Sequence, residues 1–275
     1  VQMLVPQEFF DLEGFEHQDI FPKDTPVWTP LDRLKDYLAS FFEKPWVLSN
    51  ITGHIDKPLV IYNGEIRNDL EVKTTSAKGS FHVYLKGEEV EGASVILPGV
   101  YIFDNRIIIG SGTIVEPGTL LKGPVIIGKN TEVRQGAYVR GDCLIGDNCV
   151  VGHTTEMKSS IMLDGSKAGH FAYIGDSILG KDVNLGAGTK LANLKMIPGS
   201  VGVKKDRTQY NTKRRKLGAI LGDRTETGCN TVTAPGTLMG PRAIVYPGVS
   251  VPGGYYSQGS VVMPAPNSLK IITRN

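Results

Sequence analysis

The sequence predicts a mainly β protein: a triangular parallel β-solenoid with a small α+β region before it. Apolar residues recur at every sixth position in a first section: Leu97, Phe103, Ile109, Val115, Leu121, Ile127, Val133, Val139, Ile145, Val151, Met157 and Leu163. The period resumes in a second section with Leu221, Thr227, Thr233, Met239, Val245 and Val251. A period of six fits neither a helix nor a flat sheet. Three units of short strand plus corner, however, close one triangular coil.

Small or β-branched residues hold a second position in most repeats, four residues after the apolar one: Thr113, Thr119, Val125, Thr131, Ala137, Cys143, Cys149, Thr155 and Ile161. Such residues suit tight corners, so packing explains Cys143 and Cys149. With Cys229 they make three cysteines, too few and too scattered for a disulfide framework. Glycine, at 33 of 275 residues, also indicates many turns.

Three regions follow from this pattern. Residues 1–95 are expected to form an α+β cap on one end of the solenoid, because "PLVIYNGEI" and "SFHVYL" are typical of strands. The cap should hold an amphipathic helix at about 30–43, with Thr29 as N-cap and Pro30 at its first position. Residues 96–262 form the solenoid, with a loop extruded at about 195–218, and residues 263–275 form a C-terminal tail.

Charge and hydropathy limit the function classes. The net charge is +2, but residues 203–216 hold seven Lys or Arg and one Asp. This segment is either a solvated basic loop or a contact for a small molecule with several phosphates; since it carries no recognised RNA- or DNA-binding motif, nucleic acid is not expected as a partner. No apolar run has the length of a membrane span and no signal peptide is evident, so a cytoplasmic protein without a membrane partner is expected.

Three cations share one repeat position. Lys122, Arg140 and Lys158 are each eighteen residues apart, one full coil, and should stack about 4.7–4.9 Å from one another. Like charges at that spacing repel. Either an anion such as a phosphate binds between them, or the long side chains splay into water.

The hexad pattern breaks near one histidine. From Leu163 to Leu185 there are 22 residues where four repeats need 24, and His170 lies inside that interval. Local rules often fail where function overrides them, so the break favours a functional His170. A structural irregularity is the alternative.

The motifs around His170 resemble a known family. The repeats are similar to those of the left-handed β-helix acyltransferases. The segment "EMKSSIMLDGSKAGHFAYIGDSILGKDVNLGAGT" resembles the acetyltransferase domain of bifunctional glucosamine-1-phosphate acetyltransferase/N-acetylglucosamine-1-phosphate uridylyltransferase. "ANLK", the basic loop and "RRKLGAILGD" are closer to archaeal-type fused sugar-1-phosphate nucleotidylyltransferase/acetyltransferases. The resemblance covers residues 97–262 and implies a left-handed parallel β-helix.

The resemblance implies an acyl-CoA-dependent N-acetyltransferase that acts on an amino-sugar phosphate, such as glucosamine-1-phosphate, or on a nucleotide amino sugar. His170 would be the general base, Glu156 would orient it, and Asn193 would lie near the reacting acyl group. The other implied ligands are Arg140, Lys158 and Lys122 for the sugar phosphate, Tyr173 and Asn184 for the amino sugar, and Cys229, Lys213, Arg214 and Arg215 for acetyl-CoA. Acetyl-CoA would lie between subunits of a homotrimer, to which outward apolar residues such as Tyr138, Ile126 and Val150 would contribute.

The chain also departs from the family. It lacks the glycine-rich nucleotide loop of a uridylyltransferase domain, and only "VWTPLDRLKDYL" resembles the linker helix that follows such a domain. Leu194 stands where the family often has Tyr, and His153 stands where it usually has Asn.

Two other functions fit the fold. A zinc-dependent carbonic anhydrase of this shape uses three histidines from neighbouring coils. His153 and His170 are one coil apart, but His17, His54 and His82 precede the repeats, so no catalytic metal is expected. The second alternative is a non-catalytic binding or assembly module.

Overall fold

A left-handed parallel β-helix forms the body of the protein, which confirms the predicted mainly β fold class. The computed structural model describes residues 4–75 and 80–264. Three sheets make the sides of the helix, and each coil adds one short strand to each sheet. The parallel register stacks equivalent positions directly, as in Tyr138 against Glu156.

The strands divide among the sheets as follows. Sheet 1 contains Gly53–His54, Tyr101–Asp104, Leu120–Lys122, Tyr138–Val139, Glu156–Lys158, Tyr173–Gly175, Lys190–Leu191, Val232–Thr233 and Ser250–Val251. Sheet 2 contains Glu65–Arg67, Leu59–Tyr62, Ser94–Ile96, Ile114–Val115, Glu132–Val133, Val150–His153, Lys167–His170, Asn184–Leu185, Glu226–Thr227, Ile244–Val245 and Val261–Val262. Sheet 3 contains Ile107–Ile109, Val125–Ile127, Cys143–Ile145, Ser160–Met162, Ile178–Leu179, Ala219–Leu221, Thr237–Met239 and Gly254–Tyr256.

Small polar residues line the inner corners because each bonds the backbone of the next coil. The Thr131 hydroxyl donates to the Gly146 carbonyl at 2.9 Å and accepts from the Cys149 backbone N–H at 3.0 Å. Cys149 continues this column with its thiol 3.2 Å from the Leu163 carbonyl. The thiols of Cys143 and Cys149 are free and buried, and burial raises the pKa of each to about 12. Cys149 lies just before the strand Val150–His153 and Cys143 begins the strand Cys143–Ile145, so packing accounts for both thiols.

The predicted inward series of the second section, from Leu221 to Val251, is correct. In the first section the series is correct from Ile109 to Met157 but is one residue off at both ends. The register aligns Ile96 with Val115 and Ile102 with Leu121, so these two residues take the inward positions expected for Leu97 and Phe103. Phe103 is 62% exposed. Met162, not Leu163, continues the interior column beyond Met157, and Leu163 packs in a second core outside the solenoid.

The shift after Met157 arises at the corner between sheets 1 and 3. Two residues, Gly141 and Asp142, turn this corner in one coil, whereas Ser159 alone turns it in the next and Asp176 alone in the coil after that. Ser159 and Asp176 have φ values of 45° and 47°. The two residues missing from the hexad count are therefore lost here, and the repeat around His170 is regular.

The N-terminal region covers both an end and a side of the solenoid. Leu59–Tyr62 pairs antiparallel with Ser94–Ile96 and Gly53–His54 with the strand at Tyr101, which protects the first sheet edges. An outer hairpin sheet adds Leu70–Thr74, Phe81–Leu85 and Glu88–Val90. The earlier residues instead lie along sheet 3: the 3₁₀ turns Pro6–Glu8 and Gln18–Ile20 and the helix Thr29–Ser40. The helix includes Thr29 rather than being capped by it, and it ends at Ser40, before the expected residue 43.

This packing corrects the expected subunit surface. Phe9, Phe15 and Leu34 join Ile126 and Leu144 of sheet 3 in one buried core. Ile126 is 4% exposed, so it cannot contact another subunit as expected, and Val150 is also buried. Tyr138 remains exposed.

The basic insertion folds back instead of projecting into solvent. It forms an antiparallel hairpin of Gly202–Lys205 and Thr208–Asn211, and Val201 and Val203 are buried in the core beside sheet 3. The predicted tail lies outside the described residues from position 265 onward. In the described part of the chain, no helix has both the length and the hydropathy to cross a membrane.

Candidate functional site

The outer face of sheet 1 carries most of the predicted site. Side chains alternate in and out of a strand, so the residues flanking an inward one point outward in two columns. One column contains Tyr138, Glu156, Tyr173 and Lys190, and the other contains Lys122, Arg140, Lys158 and Gly175. His170 lies at the corner with sheet 2, and Asp176 lies at the corner with sheet 3.

The predicted ladder of cations exists, but its charges already have partners within the chain. The Arg140 guanidinium donates to Glu156 Oε1 at 2.5 Å and lies 5.6 Å from the centre of the Tyr138 ring. The Lys158 ammonium donates to Asp176 Oδ2 at 2.8 Å, and that of Lys122 lies 5.3 Å from the Phe103 ring centre. A bound anion is therefore not needed to relieve repulsion along the ladder.

Asp176 is a further candidate site residue that the sequence did not predict. Its side chain is 8% exposed, and its Oδ2 also accepts a 2.6 Å bond from Asn193 Nδ2. Arg214 Nη2 from the basic insertion lies 3.8 Å from Oδ1. Asp176 follows Lys158 by eighteen residues, so a search for acids one coil from each cation would have found it.

Gly175 creates a cradle beside this carboxylate. A Cβ atom built there would lie 2.6 Å from the Tyr173 hydroxyl oxygen and 2.7 Å from Asn193 Nδ2, closer than real contacts allow. Glycine therefore lets the tyrosine hydroxyl and the asparagine amide both come close to the backbone at this position. Two predicted substrate ligands, Lys158 and Tyr173, and the predicted catalytic residue Asn193 meet at this cradle.

His170 stands exposed at the opposite edge of the same face. Its Cα pairs with that of His153, whose Nδ1 lies 3.0 Å from the Gln135 carbonyl oxygen. Within the described residues, the His170 imidazole has no hydrogen-bond partner, and the Glu156 carboxylate bonds Arg140 instead. The predicted contact between Glu156 and His170 is thus not formed in this structure.

The predicted coenzyme ligands lie at two different edges. The Gly188 N–H donates to the His170 carbonyl, and in the next coil the Asn230 N–H donates to the Ala187 carbonyl. Cys229 therefore lies at the same corner as His170, two coils along the solenoid and about 10 Å from it. Lys213, Arg214 and Arg215 instead lie toward the Asp176 corner, where Gly218 N–H bonds the Asp176 carbonyl. Arg214 is held by Asp32 of the helix, whereas Lys213 and Arg215 are exposed.

Asn184 does not join the other predicted ligands within one chain. It is exposed on the outer face of sheet 2, paired in register with Lys167 and Glu226, whereas Tyr173 belongs to sheet 1. Among the described residues, no group of three His, Cys, Asp or Glu side chains is placed to hold a metal ion.

Comparisons with known proteins confirm the resemblance to the C-terminal region of bifunctional nucleotidylyltransferase/acetyltransferases. A family model described as the GMPPB C-terminal domain matches residues 121–213. The bifunctional sugar-1-phosphate nucleotidylyltransferase/acetyltransferase of Sulfurisphaera tokodaii is 42% identical over 101 residues, 37% of this chain and 25% of that protein. The bifunctional protein GlmU of Methanococcus aeolicus is 32% identical over 202 residues, 73% of this chain and 41% of that protein.

The chain therefore spans less than half the length of these curated relatives. Among solved structures, the polysialic acid O-acetyltransferase OatWY is similar with a TM-score of 0.39 and 16% identity, covering 58% of this chain and 81% of that one. AntD from Bacillus cereus, an N-acyltransferase solved with dTDP and coenzyme A, is similar with a TM-score of 0.28 and 16% identity, covering 60% and 81%.

Proposed function

We propose that this protein transfers an acetyl group from acetyl-CoA to the amine of an amino-sugar phosphate, such as glucosamine-1-phosphate, or of a nucleotide amino sugar. The observation that carries the proposal is the outer face of sheet 1. A free imidazole borders it on one side and the Lys158–Asp176–Asn193 network on the other. The similarity to relatives whose names include acetyltransferase supports the same chemistry.

His170 acts as the general base in this proposal. The amine must lose a proton as its nitrogen bonds the thioester carbonyl carbon, and a neutral imidazole accepts that proton near neutral pH. The C–S bond then breaks, and the His170 imidazolium returns the proton to the sulfur, so that coenzyme A leaves as a thiol. His170 suits this role because it is exposed and no described group occupies its ring nitrogens. Backbone N–H groups of the glycine-rich coils would stabilise the oxyanion of the tetrahedral intermediate.

Arg140 and Lys158 bind the phosphate in this proposal, with Lys122 next in the column. Each guanidinium has five N–H donors, so Arg140 can keep Glu156 and still bind a phosphate oxygen. Because Glu156 bonds Arg140 in this structure, it can affect the reaction either through His170 or through Arg140, and one substitution distinguishes the two. If Glu156 acts through His170, Glu156→Ala lowers kcat; if it acts through Arg140, the substitution weakens sugar-phosphate binding.

We further propose a homotrimer with sites between subunits. Asn184 and Tyr173 lie on different faces of one chain, so both can contact one sugar only if sheet 2 of another subunit approaches sheet 1. Large apolar side chains lie exposed near this edge, among them Phe171, Ile244 and Tyr246. Acetyl-CoA would extend along the edge near Cys229 of one subunit, and the exposed Lys213 and Arg215, which lie at the other edge, would meet its phosphates from a neighbouring subunit. Light scattering that shows a monomer at micromolar concentration would contradict the trimer and the shared site.

Substrate comparison tests the proposal directly. Release of the coenzyme A thiol is followed with acetyl-CoA and either glucosamine-1-phosphate or unphosphorylated glucosamine. We expect turnover of the phosphorylated sugar and little or none of the other. A wild-type chain that turns over neither sugar nor a nucleotide amino sugar would contradict the proposal and favour a non-catalytic binding or assembly module.

A further inference from the structure

We infer that Asp176 is a positioning residue of the proposed acetyltransferase site: it fixes the Lys158 ammonium and determines which atom Asn193 offers to the substrate. The inference rests on the proposed function. One carboxylate oxygen, Oδ2, lies 2.8 Å from Lys158 Nζ and 2.6 Å from Asn193 Nδ2. Both functional groups are therefore tied to a single atom.

The backbone holds Asp176 in place. It is the one residue that turns its corner, in a left-handed conformation with φ of 47° that Asp and Asn adopt more readily than most residues. Its N–H bonds the Lys158 carbonyl at 3.1 Å, and its own carbonyl accepts from the Gly218 N–H at 2.8 Å. The carboxylate therefore has little freedom to move relative to the coils on either side.

The carboxylate also determines the orientation of the Asn193 amide. An ionised carboxylate only accepts hydrogen bonds, so the group that Asn193 turns toward it must be the NH₂. The amide oxygen Oδ1 is left over, and within the described chain it has no hydrogen-bond partner. Asn193 thus offers an acceptor beside Tyr173. Such an acceptor suits an N–H or O–H donor of the substrate.

The opposite charges of Lys158 and Asp176 stabilise this arrangement. Lys158 and Asp176 are both largely buried, with side chains 18% and 8% exposed, so each reduces the cost of burying the other. Arg214 adds a second cation near Oδ1 and is itself bonded to Asp32. Without the carboxylate, the flexible lysine stem would sample other rotamers and the Asn193 amide could rotate.

The test compares Asp176→Asn with Asp142→Asn. Asparagine keeps the shape and tolerates positive φ, so both variants should fold. Asp142 is a matched control because it lies on the same corner with φ of 49°, and in the described chain its side chain has no hydrogen bond or ion pair. We expect Asp176→Asn to lower kcat/KM for the sugar phosphate about 10- to 100-fold, the range for lost hydrogen bonds to charged groups. Asp142→Asn should stay within about twofold.

A double-mutant cycle with Asn193→Ala separates positioning from general destabilisation. If Asp176 acts through Asn193, the fold-loss of kcat in the double variant is smaller than the product of the fold-losses in the two single variants. The inference is overturned if an active wild type accompanies an Asp176→Asn variant of near-normal kcat/KM, or if the two effects multiply; the proposed function then stands. A wild type that is inactive with every amino sugar overturns both.

Discussion

Adding one methyl group to Gly152 should separate two coils beside His170. Gly152 does not have a positive φ, so the cost of Gly152→Ala comes from contact alone. Its Cβ would lie 1.9 Å from the Gly169 carbonyl oxygen and 2.1 Å from the carbonyl carbon. Backbone atoms cannot rotate away as a side chain does, so the strands Val150–His153 and Lys167–His170 must move apart. Overpacking costs about 1–3 kcal/mol, and we expect the upper end here, a fall of about 10 °C in Tm.

Gly169→Ala is the matched control for this substitution. Gly169 holds the same position one coil later, has no positive φ, and a Cβ there would have no atom within 4 Å. We expect a change within about 1 kcal/mol, in the stabilising direction because alanine restricts the unfolded chain. Urea unfolding followed by circular dichroism gives both free energies. Equal destabilisation by the two substitutions, or none by Gly152→Ala, would refute the register between these coils.

Three further predictions concern binding, thiols and pH. Arg140→Ala should weaken glucosamine-1-phosphate binding by about 1.5–3 kcal/mol without changing that of glucosamine, as measured by calorimetry; equal losses would mean a structural role. An alkylating reagent at pH 8 should label exposed Cys229 quickly but Cys143 and Cys149 only after unfolding, because burial raises the pKa of both to about 12; mass spectrometry of the peptides decides. Burial lowers the pKa of His17, so its neutral form is favoured in the folded state. Its contribution to stability is therefore present above about pH 6.5 and lost as the pH falls, and His17→Gln should reduce the acid loss in urea titrations; an unchanged profile would contradict this.

The sequence predicts the interior of the solenoid well because one rule, an apolar residue every six positions, controls it. The errors come from corners. The corner at Ser159 is one residue shorter than the corner before it, so Met162 replaces Leu163 in the interior. A six-residue count alone cannot show where a residue is lost. Ile126 is apolar and points outward, which is expected both for a residue in a subunit interface and for one covered by another segment of the same chain, as it is here.

The site was predicted in part. Coil spacing places Lys122, Arg140 and Lys158 in one column, and the register confirms that alignment. Coil spacing alone does not identify the carboxylate that each cation meets, because Asp176 lies eighteen residues from Lys158 whereas Glu156 lies sixteen residues from Arg140. Asp176 stands at a corner where aspartate is also an ordinary turn residue, which conceals its contacts with Lys158 and Asn193.

The measurement that tests the central claim most directly is the steady-state turnover of acetyl-CoA by wild type and His170→Ala, with glucosamine-1-phosphate as acceptor. Loss of a general base should lower kcat by about 10²- to 10⁴-fold. Sugar-phosphate affinity and the mass measured by light scattering should stay unchanged, because the His170 side chain bonds no described residue. An unchanged kcat in His170→Ala would contradict the mechanism.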